Sequence, residues 1–585
     1  MNAPLPKSLA TANFEHPVPD RVASNAYADD PEFAALLPLY LSNDLVAHLQ
    51  PYLHRLGELA GGRLDELAHS ADRNPPTLQQ RTRTGLDQQR IVKHPDYVEM
   101  ERLAFAEFGL AAMSHRAGVL GWTSPMPAAA KYALTYLFVQ AEFGLCCPLS
   151  MTDSLTRTLK KYGRPELVQR YFDRLTSQDL DNLAQGAMFM TEQGAGSDVS
   201  ATQTLACADS GEPGAWRLYG DKWFCSNPDA ALAMVLARTE GAPDGMKGVS
   251  LFLLPRVLPD GTPNNYRIIR LKDKLGTRSM ASGEIRLEGA KAWLVGELGR
   301  GFAQMADMVN NSRLSNGMRA AGLMRRAVAE ALYFCGHRVA FGKRLIDMPL
   351  MQRQLAKLMV PAEQARTMMF QTAEALRRSD AGEPGAYALT RLLTPLIKFR
   401  ACRDARKATG DAMEVRGGCG YIEEWSDPRL VRDAHLGSIW EGTSNIVALD
   451  VMRAIVREQS LPVWREHMNE LLANTGWHAE VSEKLLRLLD QVQALANDTA
   501  HQKDEAMARQ AASALYHLTS IIAMGWEACQ THSLRRMLLA QLTLVHRLLP
   551  HDPLSRPHDV DLAPLFEQTA QKATVAELRS VNLLA

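Results

Sequence analysis

Between about Met188 and Leu294 the sequence changes its hydrophobic period, and no other feature constrains the fold as strongly. Upstream, from about Pro31 to Leu175, apolar residues recur at helical spacing, as in "EFAALLPLYLSNDLVAHLQPYLHRL" and "KYALTYLFVQAEFGL". Within the interval they give way to short β-rich runs bounded by glycine and proline: "WRLYGDKWF", "LAMVLART", "GVSLFLLPR", "YRIIRLK" and "GEIRLEG". Downstream, long helical periods return, as in "MRAAGLMRRAVAEALYFCGHRVA". The spacing predicts a mainly α chain with a central antiparallel β unit, a small sandwich or barrel, and not βαβ repeats. Four units are expected: an N-terminal helical domain (1–185), a central β domain (186–296), a helical bundle (297–456) and a C-terminal helical extension (457–585). Inside the first, "ADRNPPTLQQRTRTG" reads as a loop. A second loop is expected at "PHDPLSRPHD" in the extension.

Composition removes some partners. Lys+Arg and Asp+Glu each total 65 in 585 residues, so no net field favours nucleic acid, an anionic membrane or a polyanion. The extension carries 12 Lys/Arg against 15 Asp/Glu and has no zinc-finger spacing or basic heptad region. "SLRRMLLAQLTLVHR" could place Arg535, Arg536 and Arg547 on one helix, and a solvated face is the ordinary reading. Eight cysteines form no C-x-x-C pair or metal-ligand spacing with histidine, which implies no metal and a reducing, cytoplasmic setting. The start "MNAPLPKSLATANF" has no apolar signal core, and every long apolar run is broken by charge, so no secreted or membrane-spanning form is expected.

Four short stretches carry candidate chemistry. "MTEQGAGSD" (Met190–Asp198) offers backbone N–H groups that Gly194 and Gly196 leave unobstructed, although a structural turn explains it equally well. "KWFCSN" sets aromatic rings beside the Ser226 hydroxyl, able to stack on a flat heterocycle or simply to fill core. "HRVAFGK" closes a helix with Arg338, suited to a pyrophosphate or to the helix dipole. "SIWEGTSN" is the most unusual, because it places Glu441 between tryptophan and a Gly-Thr-Ser turn where a salt-bridged surface carboxylate would not be expected.

In this order, the four stretches resemble the acyl-CoA dehydrogenase family, and "GGCGY…DPRLVRDA" is similar to family sequence as well. The resemblance is nearest to the AidB-like branch, through "NPP" near 75, "LCCPLSMT", "RLKDKLGTRS", "PLMQ" and the long helical tail. It implies FAD as cofactor, with Met190, Thr191, Gly196 and Ser197 on the flavin and Phe224 and Ser226 beside its ring. Arg338 and Phe341 would reach the FAD of a neighbouring subunit, Gly417 and Gly418 its adenosine or pyrophosphate part, and Thr443 and Asn445 would touch it after the base. Glu414 stands where many members have a flavin-binding glutamine, and Pro349 replaces another. Ser312 occupies the helix position where one branch carries its catalytic glutamate.

The resemblance further implies that Glu441 removes the pro-R α-proton of an acyl-CoA while the β-hydride moves to flavin N5; Arg313 or Arg453 would orient the carboxylate, and either arginine reads equally as a plain structural ion pair. The Glu441 N–H and a ribityl hydroxyl would hold the thioester oxygen. The implied partners are the acyl-CoA substrate, an electron-transfer flavoprotein as acceptor, and three further copies in a homotetramer. A second reading is an AidB-like flavoprotein associated with DNA and alkylation protection, and charge balance disfavours it. Acyl chain length is not readable from the sequence.

Overall fold

The computed structural model describes residues 18–550, 552, 554, 561–566 and 572–584. The expected leaderless start lies outside them, as does most of the loop expected at 550–559. The chain is 57% helical around a β domain that contains a small barrel. Among the described residues no helix is long and apolar enough to cross a membrane.

Seven strands build the β domain: Gly186–Phe189, Leu205–Ala208, Ala215–Ser226, Leu232–Thr239, Val249–Pro255, Tyr266–Leu271 and Ser282–Val295. Leu232–Thr239 pairs on one edge with Val249–Pro255 and on the other with Leu205–Ala208. The sheet closes through Ala215–Ser226 and Ser282–Val295. Most pairings are antiparallel, as expected, but Gly186–Phe189 and Leu205–Ala208 both run parallel to Leu232–Thr239. The continuous apolar run of Val249–Pro255 follows from this closure, because both of its faces are buried. Phe252 and Leu254 fill the barrel with Val235, Ile285 and Leu287, while Leu251 and Leu253 join the main helical core.

The segment read as a loop near residue 80 is instead a hairpin, Thr77–Arg81 with Asp87–Val92, which turns at Gly85 with φ 87°. Its polar composition hid it, since seven of the eleven strand residues are exposed and no apolar alternation marks them.

Three long helices, Gly301–His337, Pro349–Asp380 and Ala386–Val415, form the bundle, with Ser426–Gly437 and Ser444–Glu458 packed on it. The extension continues as Ser460–Ala473, Ala479–His501, Ala508–Thr531 and Leu534–Arg547. It is welded to the bundle by buried charge. Arg536, only 1% exposed, donates to Glu363 at 2.9 Å and to Glu527 at 2.8 Å. Arg366 on the bundle reaches both Glu363 and Asp30 of the N-terminal region. The reading of Arg535, Arg536 and Arg547 as one solvated face is therefore corrected. Arg536 is core, Arg535 binds the Leu565 carbonyl at 3.2 Å, and Arg547 lies 3.9 Å from Asp404.

Candidate functional site

The turn between Gly437 and Ser444 bends back through two left-handed residues, Glu441 at φ 57° and Gly442 at φ 96°. A glutamate adopts this conformation only when its surroundings compel it, at about 1–3 kcal/mol. The compulsion comes from two cations on the bundle. Arg313 Nε donates to the Glu441 carbonyl at 3.0 Å, and its Nη1 donates to Asp450 at 2.6 Å; Lys398 Nζ donates to the Gly442 carbonyl. A Cβ at Gly442 would stand 3.3 Å from Ile446 and Val447 methyls, so the turn has no slack there.

With its backbone held, the Glu441 side chain points inward, and Oε2 is buried without a hydrogen-bond partner. Burial pushes the carboxyl above its usual range. The Ser312 hydroxyl and the cations Arg313, Lys398 and Arg319 oppose that rise. Ser312 lies near the carboxylate but out of line for a full hydrogen bond, so its Oγ also lacks a partner. Burial likewise lowers Lys398 to about 8.

The N-terminal helices and the barrel converge on the same point. Burial raises the Cys147 thiol, on which Arg319, Glu441 and a Ser226 hydrogen bond also act, so Ser226 and Glu441 flank one thiol. Phe143 stacks on Trp440 with centroids 6.4 Å apart and planes at 18°. On the barrel side Trp223 N donates to the Thr191 carbonyl at 2.7 Å, which sets Thr191 next to Phe224. The Met190–Ser197 segment is anchored by Glu192, whose carboxylate accepts from Lys222 at 2.6 Å, from Gln203 N at 2.6 Å and from the Thr204 hydroxyl at 2.6 Å.

These residues fit a flavin dinucleotide on two structural observations. Gly194 and Gly196 have no atom within 4 Å of a notional Cβ, leaving their backbone open to close approach. Phe224, at φ 41°, presents a ring 62% exposed on the barrel side, and Trp440 Nε1 and Glu441 Oε2 are buried polar atoms left unpaired. Beside this region opens a cleft of about 1130 Å³, lined by Ser197, Lys247, Arg300, Arg313, Arg391 and Arg453 among others, large enough for a nucleotide thioester.

Arg313 therefore holds the backbone of Glu441 and pairs with Asp450, in place of the carboxylate contact expected for it, and Arg453 lies exposed on the cleft wall. Thr443 and Asn445 sit on the outer flank of the turn, where Asn445 Oδ1 accepts from Arg509 of the extension at 3.4 Å.

The remaining candidates lie elsewhere. Arg338 follows Arg313 by 25 residues of one helix, about 37 Å at 1.5 Å per residue. Phe341, 97% exposed at φ 52°, tips the small hairpin beyond it. Arg416 pairs with Glu330 at 2.8 Å, which sets Glu414, Gly417 and Gly418 about 26 Å along the helix from Arg313. Gly417 and Gly418 are also open above their Cα atoms. One chain thus cannot bring both groups to a single flavin ring. Sequence reasoning missed Lys398, Cys147 and Arg319 as site residues; Lys398 and Arg319 are isolated cations inside helical periods, and Cys147 lies in the quoted "LCCPLSMT" without any local sign of a role.

Residues 299–456 match the acyl-CoA dehydrogenase C-terminal domain family, 187–290 its middle domain, and 17–182 the adaptive response protein AidB N-terminal domain. The chain is 31% identical to acyl-CoA dehydrogenase family member 11 of Caenorhabditis elegans over 82% of its own length and 79% of the relative. It is 35% identical to AidB of Escherichia coli (strain K12) over 67% of its own length and 71% of that protein. It superposes on the crystal structure of C. elegans ACDH-11 in complex with C11-CoA with a TM-score of 0.84 at 28% identity, covering 93% of this chain and 94% of the other.

Proposed function

The chain belongs to the acyl-CoA dehydrogenase family, whose members are FAD-dependent flavoproteins, and on that footing we propose that it desaturates an acyl-CoA at the α,β bond with Glu441 as base. The observation that carries this reading is the Glu441 carboxylate itself: backbone fixed, Oε2 buried and unpaired, basicity raised by burial. A solvated carboxylate is too weak a base for an α-proton, and desolvation brings its pKa toward working pH.

In the proposed step, Glu441 Oε2 takes the α-proton while the thioester oxygen rests on the Glu441 N–H. Arg313 and Lys398 keep the turn from relaxing as the carboxylate neutralises. The cationic cleft wall receives the CoA phosphates, and Trp440 and Phe143 exclude water from the reacting carbons. FAD, when bound, supplies the hydride acceptor. Met190, Thr191, Gly196, Ser197, Phe224, Ser226, Thr443 and Asn445 would hold it from one chain, with Arg338, Phe341, Glu414, Gly417 and Gly418 from a second. The 26–37 Å separation within one chain supports that division, and the family resemblance makes a homotetramer the proposed assembly. An electron-transfer flavoprotein is the proposed acceptor.

The test is anaerobic flavin bleaching by a panel of acyl-CoAs, with Glu441→Gln as control. Bleaching of wild type but not of the variant supports the reading; a variant that bleaches at the wild-type rate removes Glu441 from the role. The burial of Arg536 takes away one of the cations the DNA-associated reading required.

A further inference from the structure

Arg319 is a buried guanidinium that forms no ion pair among the described residues, and the carboxylate of Glu441 acts on it only from beyond contact. It is 1% exposed, its Nε reaches only the Ser315 carbonyl at 3.4 Å, its Nη1 has no partner, and no carboxylate among the described residues forms an ion pair with it. Its nearest company is aromatic, with the Trp440 ring centroid 5.0 Å and the Phe143 centroid 5.3 Å from Cζ. Arginine does not lose its charge in proteins. A buried charge lacking a counter-ion is among the costliest features a fold can carry, and stacking on rings recovers only part of it.

The surrounding polar atoms share the deficit. Ser312, Asn316 and Arg319 recur at i, i+4 and i+7, which is one face of the Gly301–His337 helix, and Ser312 Oγ, Asn316 Oδ1 and Arg319 Nη1 are all buried and unpartnered. Ser150 Oγ, one turn beyond Cys147, is in the same condition. The order along the helix gives this face a direction. The large cleft uses residues from Phe302 to Arg313, the base lies beside Ser312, and Arg319 stands about 10 Å further along, away from the cleft mouth. An acyl chain whose thioester lies at Glu441 and whose CoA fills the cleft would run its free end toward Arg319.

We propose that the acyl-binding face beyond Glu441 is specific for short acyl-CoAs bearing a distal carboxylate, with Arg319 as the counter-ion and Asn316 and Ser312 as hydrogen-bonding guides. This rests on Glu441 as base. The carboxylate takes no part in the chemistry: the α-proton goes to Glu441 and the β-hydride to the flavin, as for any acyl-CoA. The bracket of Phe143 and Trp440 keeps the ion pair dry, so that it discriminates strongly against an apolar chain end.

The experiment measures anaerobic flavin bleaching by glutaryl-CoA and adipyl-CoA against butyryl-CoA, hexanoyl-CoA and C11-CoA. Wild type, Arg319→Met, Arg319→Lys and Glu441→Gln are compared, with thermal unfolding of each in the absence of acyl-CoA. The expected result is a preference of about tenfold to a hundredfold for the carboxylated chains in wild type, the size of a charged hydrogen bond. The preference should be reversed in Arg319→Met and retained in weaker form in Arg319→Lys. Arg319→Met should also melt higher than wild type, because it removes an unpaired buried charge at similar volume. A wild type that prefers the plain chains, or an Arg319→Met variant that melts lower with its preference unmoved, overturns the inference and leaves Glu441 as base standing. Equal bleaching by Glu441→Gln, or none by wild type with any thioester, overturns the reading of the base and the inference with it. Because the wild-type preference is read without any variant, a failure of Arg319→Met to fold still leaves a decisive comparison.

Discussion

Arg313 binds the main-chain carbonyl of Glu441 at 3.0 Å and makes no hydrogen bond to its carboxylate. The arginine thereby fixes where the carboxylate points without neutralising it by direct contact, and it is itself locked by Asp450 at 2.6 Å. A base that must stay basic is better positioned through its backbone than through an ion pair, which would lower its pKa.

Arg313→Ala should therefore act twice. Asp450 would lose its shorter partner and keep Arg391 at 3.4 Å, which should cost about 1–3 kcal/mol of stability, measurable by denaturant unfolding. The freed turn should slow bleaching by about 10²-fold, since small displacements of a reacting group have effects of that size. A variant as stable and as fast as wild type would show that the turn holds itself.

Glu441→Gln should keep FAD and lose bleaching by about 10²–10⁴-fold, the usual worth of a general base. In wild type the rate should rise with pH through a carboxyl pKa lying above the ordinary range, because only the unprotonated form accepts the α-proton. A profile flat from the ordinary carboxylate range upward would show that burial does not tune this group.

Asp433, buried under the 277–280 loop and accepting from Thr277 N at 2.6 Å, is pushed by burial from 3.8 up to about 7. Its folded-state pKa exceeds the unfolded one, so the folded protein binds the extra proton. The associated stability is present below the unfolded pKa and lost as pH rises through about 7. Asp433→Asn should flatten that decline, read as unfolding free energy at several pH values.

Chains carrying Arg338→Ala and chains carrying Glu441→Gln should each be impaired alone and regain activity when co-assembled. A site that takes its base from one chain and Arg338 from another is intact in one of two combinations. Absence of complementation in verified mixed oligomers would place both residues in one chain's site.

Arg536→Ala should destabilise by about 3–5 kcal/mol by leaving the buried Glu527 without a cation, while Glu363 keeps Arg366. Duplex DNA should bind weakly and lose affinity steeply with salt, since 12 Lys/Arg against 15 Asp/Glu give the extension no net positive field. Tight binding at physiological salt would restore the DNA-associated reading.

The sequence by itself determined the element types and their order. Local periodicity reports which face of a segment is apolar, and the five β-rich runs and the long bundle helices are all present where that periodicity placed them. It also singled out Glu441, because an acid between tryptophan and a glycine turn is chemically odd at short range. The polar hairpin at Thr77–Val92 was invisible to the same logic, being held by backbone pairing with little burial of its own side chains. Only the tertiary structure decided what each charge meets. Arg313 and Arg319 lie six residues apart on one helix with nothing local to distinguish them, yet one is paired to a backbone carbonyl and an aspartate while the other forms no ion pair among the described residues. Arg536 read as a surface cation and is core. Electrostatic roles depend on distance and desolvation, and both are set by segments more than a hundred residues apart in the chain, which no local pattern encodes.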